Sequence, residues 1–173
     1  MSETRILEIG LGFGSNQGDR IANLKAAKAS VLALPGVEFL EQSSLYETEP
    51  IGVKEEYRHL KFINAVLVIL CPIPLLSMQQ EMMKIEAGIG RRRTEDQYAP
   101  RPLDIDMLYA GSLIIDSPTL KLPHPQCLKR RFVLQPLAEV RPELVLATTN
   151  LTIEDLLAGL PAGEEVVKLP DIW

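Results

Sequence analysis

The sequence predicts an α+β fold: a single domain over residues 1–173, with helices packed on a sheet. Three observations lead there. The 173 residues, 46% of them hydrophobic, suffice for one domain that buries about 70% of its unfolded surface. Strand-like and helix-like apolar patterns follow one another along the chain. No internal repeat and no low-complexity segment interrupts them.

Residues 6–14 begin as an apolar strand and end in glycines. Asp19 is placed to cap a helix with Ile21, Leu24, Val31 and Leu32 at helical spacing, and Pro35-Gly36 stops it. Residues 37–47 read as a strand, and 48–60 as a polar loop with Pro50 and Gly52. Residues 61–70 are almost continuously apolar and rich in Val and Ile, the pattern of a central strand. Pro72 and Pro74 open a helix with Leu75, Met78, Met82, Ile85 and Ile89 on its apolar face, ended by Gly88 and Gly90. Residues 91–100 form a loop, 101–109 a strand containing two acids, Ala110-Gly111 a turn, and 113–116 a return strand. A short helix interrupted near Pro136 is expected over 126–139, and Thr152 with Asp155 caps a last helix. The order is β-α-β-β-α-β with additions at the C-terminal end, the ferredoxin-like split βαβ order. Such an order says nothing about function by itself.

Cys71 and Cys127 lie too far apart to suggest a disulfide framework, so a reducing compartment is expected. The stretch MSETRILEIG has no basic segment followed by an apolar core, and the longest apolar run, 62–70, is far short of the roughly 20 residues of a membrane helix. A soluble cytoplasmic protein with no membrane partner is expected. The net charge of −5 argues against nucleic acid as a partner. The charge is nevertheless uneven. Residues 84–131 carry nine Lys/Arg against six Asp/Glu, and the remainder nine against seventeen.

The Gly-rich stretch GLGFGSNQGDR (10–20) has two readings: a phosphate-binding turn between strand and helix, or a tight turn with no ligand. It lacks the Lys-Ser/Thr of a P-loop and the third glycine of a dinucleotide fingerprint. In PRPLDIDMLY (100–109), Asp104 and Asp106 fall on one face of a strand, with Cα atoms roughly 6.6 Å apart at about 3.3 Å per residue. Two carboxylates that close repel unless something positive lies between them. Arginines could pair with them, or Mg²⁺ could bind them together with substrate phosphates. Six guanidiniums (Arg91, Arg92, Arg93, Arg101, Arg130 and Arg131) are more than two carboxylates need, and the excess suggests a polyphosphate cradle. His124, flanked by prolines, is either structural or a ligand contact. Phe62 beside Asn64, and Phe132 beside Arg130, suggest either plain core or a flat heterocycle held between two rings with Asn64 reading its edge.

The segments GSNQGDR (14–20), YETEPIG (46–52), FINAV (62–66), IEAGIGRRR (85–93), APRPLDIDMLYAG (99–111), LPHP (122–125) and RRFVLQPLAEV (130–140), in this order, resemble the 6-hydroxymethyl-7,8-dihydropterin pyrophosphokinases of folate biosynthesis. The resemblance implies a ferredoxin-like α+β fold. It also implies transfer of the β,γ-pyrophosphoryl group of ATP to the pterin hydroxymethyl oxygen, with release of AMP. Asp104 and Asp106 would hold two Mg²⁺ ions that bridge the triphosphate. Arg91, Arg93 and Arg101 would contact the phosphates or close over them, and His124 and Arg130 would grip ATP on the far side, with Glu86 an acidic position of the same ATP site. Phe62 and Phe132 would sandwich the pterin, Asn64 would bond its edge, Tyr98 would cover it, and Thr48, Pro50 and Ile51 would line its pocket. A monomer acting on small molecules is expected, with loops 48–60 and 91–100 ordering when both substrates bind. The sequence departs from the family where its loop often reads Arg-Trp-Gly-Pro-Arg: here it is Gln97-Tyr98-Ala99-Pro100-Arg101. One charged phosphate contact is therefore expected to be missing. Glu49 also stands where some members have a second proline.

Two other classes share part of the pattern. A strand Asp-x-Asp also serves nucleotidyltransferases, which release pyrophosphate. Ferredoxin-like domains also serve as small-molecule sensors, which need no metal pair.

Overall fold

A computed structural model describes residues 5–173. The strands are β1 (Leu7–Ser15), β2 (Glu38–Gln42), β3 (Tyr46–Thr48), β4 (Phe62–Cys71), β5 (Asp104–Ala110), β6 (Ile115–Asp116), β7 (Lys121–Leu122) and β8 (Val166–Lys168). The helices are α1 (Arg20–Leu32), α2 (Leu75–Gly88), α3 (Arg131–Val140) and α4 (Ile153–Ala158). The main sheet runs β5-β1-β4-β3-β8, with β2 also paired to β4, and β1, β4 and β5 are mutually antiparallel where they pair. With β2 and β3 sharing one position beside β4, this is the expected ferredoxin-like arrangement, extended by β8 at the edge.

Strand alternation divides the core into two layers. Ile9, Leu11 and Phe13 of β1, with Ile63, Ala65, Leu67 and Ile69 of β4, pack against Leu24, Ala27 and Val31 of α1 and Met78 and Met82 of α2. On the opposite face, Val66, Val68, Leu108 and Tyr109 pack against Leu134, Leu137 and Val140 of α3 and Ile153 of α4. The expected caps form: Asp19 accepts from the Ala22 amide, and the Thr152 hydroxyl accepts from the Asp155 amide.

The structure corrects several expectations. The glycines at 10, 12 and 14 do not form a turn of either kind, because β1 runs to Ser15. They occupy successive positions on one face of the strand. A Cβ on Gly10 would lie 2.3 Å from Tyr109 Cε1, on Gly12 3.3 Å from Leu108, and on Gly14 3.3 Å from Asn64 Oδ1. The turn comes later, at Gly18, where φ is +73°. The strand expected over 37–47 is two strands. At the break the Val66 amide donates to the Ser43 hydroxyl, while the Trp173 indole N–H takes the Ser43 carbonyl. The acidic strand begins at Asp104 instead of Arg101, since the Arg101 amide and carbonyl bond to Asn16. The return strand is only Ile115–Asp116, and it pairs with β7 in a separate two-stranded sheet. Pro136 does not interrupt its helix. It forfeits one amide donor in α3 but is buried beside Leu134 and Leu137. Strand β8 has no counterpart in the sequence reading, being three residues long and defined only by its pairing with β3.

The close approach at Gly10 is rigid, because the Tyr109 ring is buried and its hydroxyl donates to Glu8 Oε1 at 2.6 Å. Gly10→Ala is expected to destabilise the fold by about 1–3 kcal/mol, the range for overpacking, in urea denaturation followed by circular dichroism.

Candidate active site

Antiparallel pairing sets Asp104 opposite Gly14 and Asp106 opposite Gly12, and Gly14 and Gly12 opposite Asn64 and Val66 of β4. Directly opposed residues share a face, so the two acids and Asn64 look across a strip of β1 that carries no side chains. A β-bulge follows on β5: Gly10 pairs with Tyr109 and Leu11 with Met107, leaving Leu108 as the extra residue. The Leu108 carbonyl accepts the His124 amide at 2.8 Å, which brings His124 alongside Asp106.

Two cavities meet at this strip. The first, about 680 Å³, is lined by Glu86, Arg91, Arg92, Arg93, His124 and Arg130 among others. The second, about 500 Å³, is lined by Thr48, Ile51, Phe62, Asn64, Tyr98 and Phe132, floored by Gly12 and Gly14. Arg101, Asp104, Asp106 and Arg130 line both. Of the residues singled out in the sequence for site chemistry, Pro50 and Arg131 are absent from both linings: the neighbours of Pro50, Glu49 and Ile51, line the second, whereas Arg131 leaves the expected arginine cradle and donates to the Leu160 and Pro161 carbonyls at 3.4 Å.

In the first cavity Glu86 is an organising anion. Its side chain is buried, and Oε1 accepts from the Ile105 amide at 2.8 Å and from Arg91 at 2.9 Å, while Oε2 accepts from Arg93 at 3.0 Å. Burial pushes this carboxyl above its ordinary value, opposed by the Ile105 amide and the Arg91 charge. Glu86 thus sits behind the arginines, with both oxygens engaged. Arg91 bridges onward to Asp104 Oδ1 at 2.6 Å, and Arg101 reaches Asp104 Oδ2 at 3.5 Å.

The two aspartates are not equivalent. Among the described residues, the side chain that pairs with Asp106 is the imidazole of His124, with Nε2 at 3.9 Å. Although half-exposed to the cleft, Asp106 stands between walls that strip away its solvent. That desolvation, reinforced by the Asp104 and Glu86 carboxylates, lifts it to about 7. His124 Nδ1 accepts from the Gln126 amide at 3.1 Å, which leaves Nε2 as the protonated nitrogen facing Asp106. Burial and the Arg130 charge hold this imidazole below its ordinary value. A pair of hard carboxylate oxygens on one face, one of them without a close cation, fits a divalent metal such as Mg²⁺.

In the second cavity Asn64 Nδ2 donates to Thr48 Oγ1 at 2.9 Å, fixing the amide at the cavity wall. The Arg130 guanidinium lies 5.6 Å from the centre of the Phe132 ring. Asn16 was missed in the sequence: buried, it accepts the Arg101 amide at 2.8 Å and donates its own amide to the Arg101 carbonyl at 3.2 Å. No local signal marks it, because its partner is 85 residues away. Gly12 and Gly14 had a usable signal, since alternate glycines within a strand denote close approach or open space on one face.

The sequence profile described as 7,8-dihydro-6-hydroxymethylpterin-pyrophosphokinase (HPPK) matches residues 10–142. The chain belongs to this family. Similar proteins include the 2-amino-4-hydroxy-6-hydroxymethyldihydropteridine pyrophosphokinase of Methylorubrum extorquens, 38% identical over 91% of this chain and 97% of that one. The protein of the same description from Bacillus subtilis is 36% identical over 75% of each chain. A solved Plasmodium falciparum HPPK-DHPS structure, wild type with STZ-DHP, has a TM-score of 0.67 at 18% identity, covering 90% of this chain. That structure bears on fold alone, and this chain spans 42% of its length. No helix among the described residues is long and apolar enough to cross a membrane, and both cysteines are free and buried.

The raised carboxyl of Asp106 has a stability consequence. A group that holds its proton more tightly when folded costs stability as pH rises between its unfolded value, 3.8, and about 7. Asp106→Asn should therefore raise the melting temperature of the metal-free protein, more at pH 8 than at pH 5, in scanning calorimetry.

Proposed function

We infer that the two cavities hold the two substrates of the HPPK reaction and that Asp104 and Asp106 join them. Family membership makes this chain an ATP-dependent pyrophosphokinase of folate biosynthesis, acting on hydroxymethyldihydropterin. The observation that carries the division of the site is the shared wall: Arg101, Asp104, Asp106 and Arg130 line both cavities.

The arginine-lined cavity suits the triphosphate, because guanidiniums bind phosphate oxygens bidentately. The second cavity suits the pterin, with Phe62 and Phe132 as apolar walls and Asn64 and Thr48 as polar groups fixing an edge. The hydroxymethyl oxygen would then lie at the acid pair, facing the β-phosphorus. There its new bond forms as the bridge to the α-phosphate breaks, and AMP leaves. Such a transfer needs alignment and charge neutralisation more than a covalent partner in the protein. Asp104 and Asp106 would hold Mg²⁺, two ions in this reading, supplying positive charge to the phosphate oxygens. Arg91 and Arg101, which neutralise Asp104 here, are positioned to turn to the phosphates. Nε2 of His124 and the guanidinium of Arg130 flank the same region. Glu86 acts by holding Arg91 and Arg93. We further propose a cytoplasmic monomer, one domain over its whole length.

Phosphorus NMR of the protein with ATP, Mg²⁺ and 6-hydroxymethyl-7,8-dihydropterin should reveal AMP and a pterin diphosphate ester in equal amounts. ADP or free pyrophosphate would contradict the reading. Asp104→Asn and Asp106→Asn should each lower kcat by on the order of 10²–10³-fold, the scale of losing several kcal/mol of metal-borne charge stabilisation. A non-enzymatic sensor would show no turnover to lose.

A further inference from the structure

We propose that an ion pair between Lys54 and Asp96 positions Tyr98 over the second cavity by tying together the two loops that flank it. The inference rests on that cavity's being the pterin site. Lys54 belongs to the loop joining β3 to β4, and Asp96 to the loop joining α2 to β5. Lys54 Nζ lies 3.0 Å from Asp96 Oδ2. That oxygen is sealed from solvent and accepts no aligned hydrogen bond among the described residues, so the Lys54 charge meets it as an ion pair.

Both ends of the pair are held in place by their own loops. Lys54 starts the 3₁₀ turn Glu55–Tyr57, its carbonyl accepting the Tyr57 amide at 2.9 Å. Asp96 forms a local turn: Oδ1 accepts the Tyr98 amide at 3.0 Å, and its carbonyl accepts the Ala99 amide at 3.1 Å. Asp96 therefore faces Lys54 with one carboxylate oxygen and fixes the Tyr98 backbone with the other. The Tyr98 ring comes within 4.0 Å of the point where Gly52 would carry a Cβ, and Gly52 adopts a φ of +72° that other residues rarely take. Tyr98, Gly52 and Val53 all line the cavity.

The segment has a second anchor at its other end, where Arg101 Nη2 donates to the Gln97 carbonyl at 2.6 Å and Asn16 grips the Arg101 backbone. That anchor ties the segment to Asn16, the residue after β1, and does not reach the loop between β3 and β4. The Lys54 contact joins the segment to the loop that carries Gly52 and Val53, with Asp96 itself on the lining of the first cavity. Exposed ion pairs are weak, shifting equilibria by roughly fivefold at most, which suits a contact that must release for substrate to enter and product to leave. The pair raises the Lys54 ammonium above its ordinary value and lowers the Asp96 carboxyl.

The test is a double-mutant cycle with Lys54→Met and Asp96→Asn, the latter retaining an oxygen to accept the Tyr98 amide. Binding of 6-hydroxymethyl-7,8-dihydropterin is followed by fluorescence with Mg²⁺ and a non-hydrolysable ATP analogue present. Each single variant should weaken pterin binding about three- to fivefold. The double variant should be no weaker than either single, Lys54→Arg should bind as the native chain does, and affinity of Lys54→Met for the analogue alone should stay within about twofold. Multiplying effects in the double variant, or equal loss of analogue affinity in Lys54→Met, would overturn the proposal. So would native affinity for the pterin in both single variants. Failure of the native chain to bind the pterin at all would instead overturn the functional reading beneath it.

Discussion

The site depends on a strip of β1 that carries no side chains. Gly12 and Gly14 lie at the centre of the sheet, between Asp104 and Asp106 on β5 and Asn64 and Val66 on β4. Any Cβ there would meet Leu108 or Asn64 at 3.3 Å and would stand between the acids and the second cavity. Helices α1 and α2 cover the other face of the sheet. Helices α3 and α4 cover this face only where Val66, Val68, Leu108 and Tyr109 supply apolar area. The remainder stays open, and because α3 begins at Arg131, Arg130 and Phe132 fall on its rim.

Charge in the open half is arranged around one buried carboxylate. Glu86 alone would be costly to bury. It is tolerated because the Ile105 amide, Arg91 and Arg93 satisfy it. It thereby fixes the start of the acidic strand and aims Arg91 at Asp104. Positive charge reaches Asp104 more fully than Asp106. The imbalance is what a site would have if a cation and a polyphosphate completed it: Arg91 and Arg101 would be free to pair with phosphate instead of Asp104, and Asp104 and Asp106 would hold the cation.

Much of this was readable in the sequence because it follows from local rules. The spacing of Asp104 and Asp106 fixed their shared face, and Asp19 and Thr152 cap their helices as their positions suggest. The site residues from Thr48 to Phe132 gather at two adjoining cavities, Pro50 and Arg131 excepted. What the sequence did not reveal depends on contacts distant along the chain. The glycines looked like a turn because their meaning lies in β4 and β5, dozens of residues away. The break at Ser43 depends on Val66 and Trp173, and the grip on Arg101 depends on Asn16. Pro136, a helix breaker by local rule, sits within α3 because packing on the sheet outweighs one missing hydrogen bond.

The most direct test of the central claim is a crystal structure with Mn²⁺ in place of Mg²⁺ and a non-hydrolysable ATP analogue, read by anomalous diffraction. Mn²⁺ should be bound directly by carboxylate oxygens of both Asp104 and Asp106, with the Arg91 guanidinium on phosphate oxygen. Metal bound away from both aspartates, with Arg91 still paired to Asp104, would contradict it.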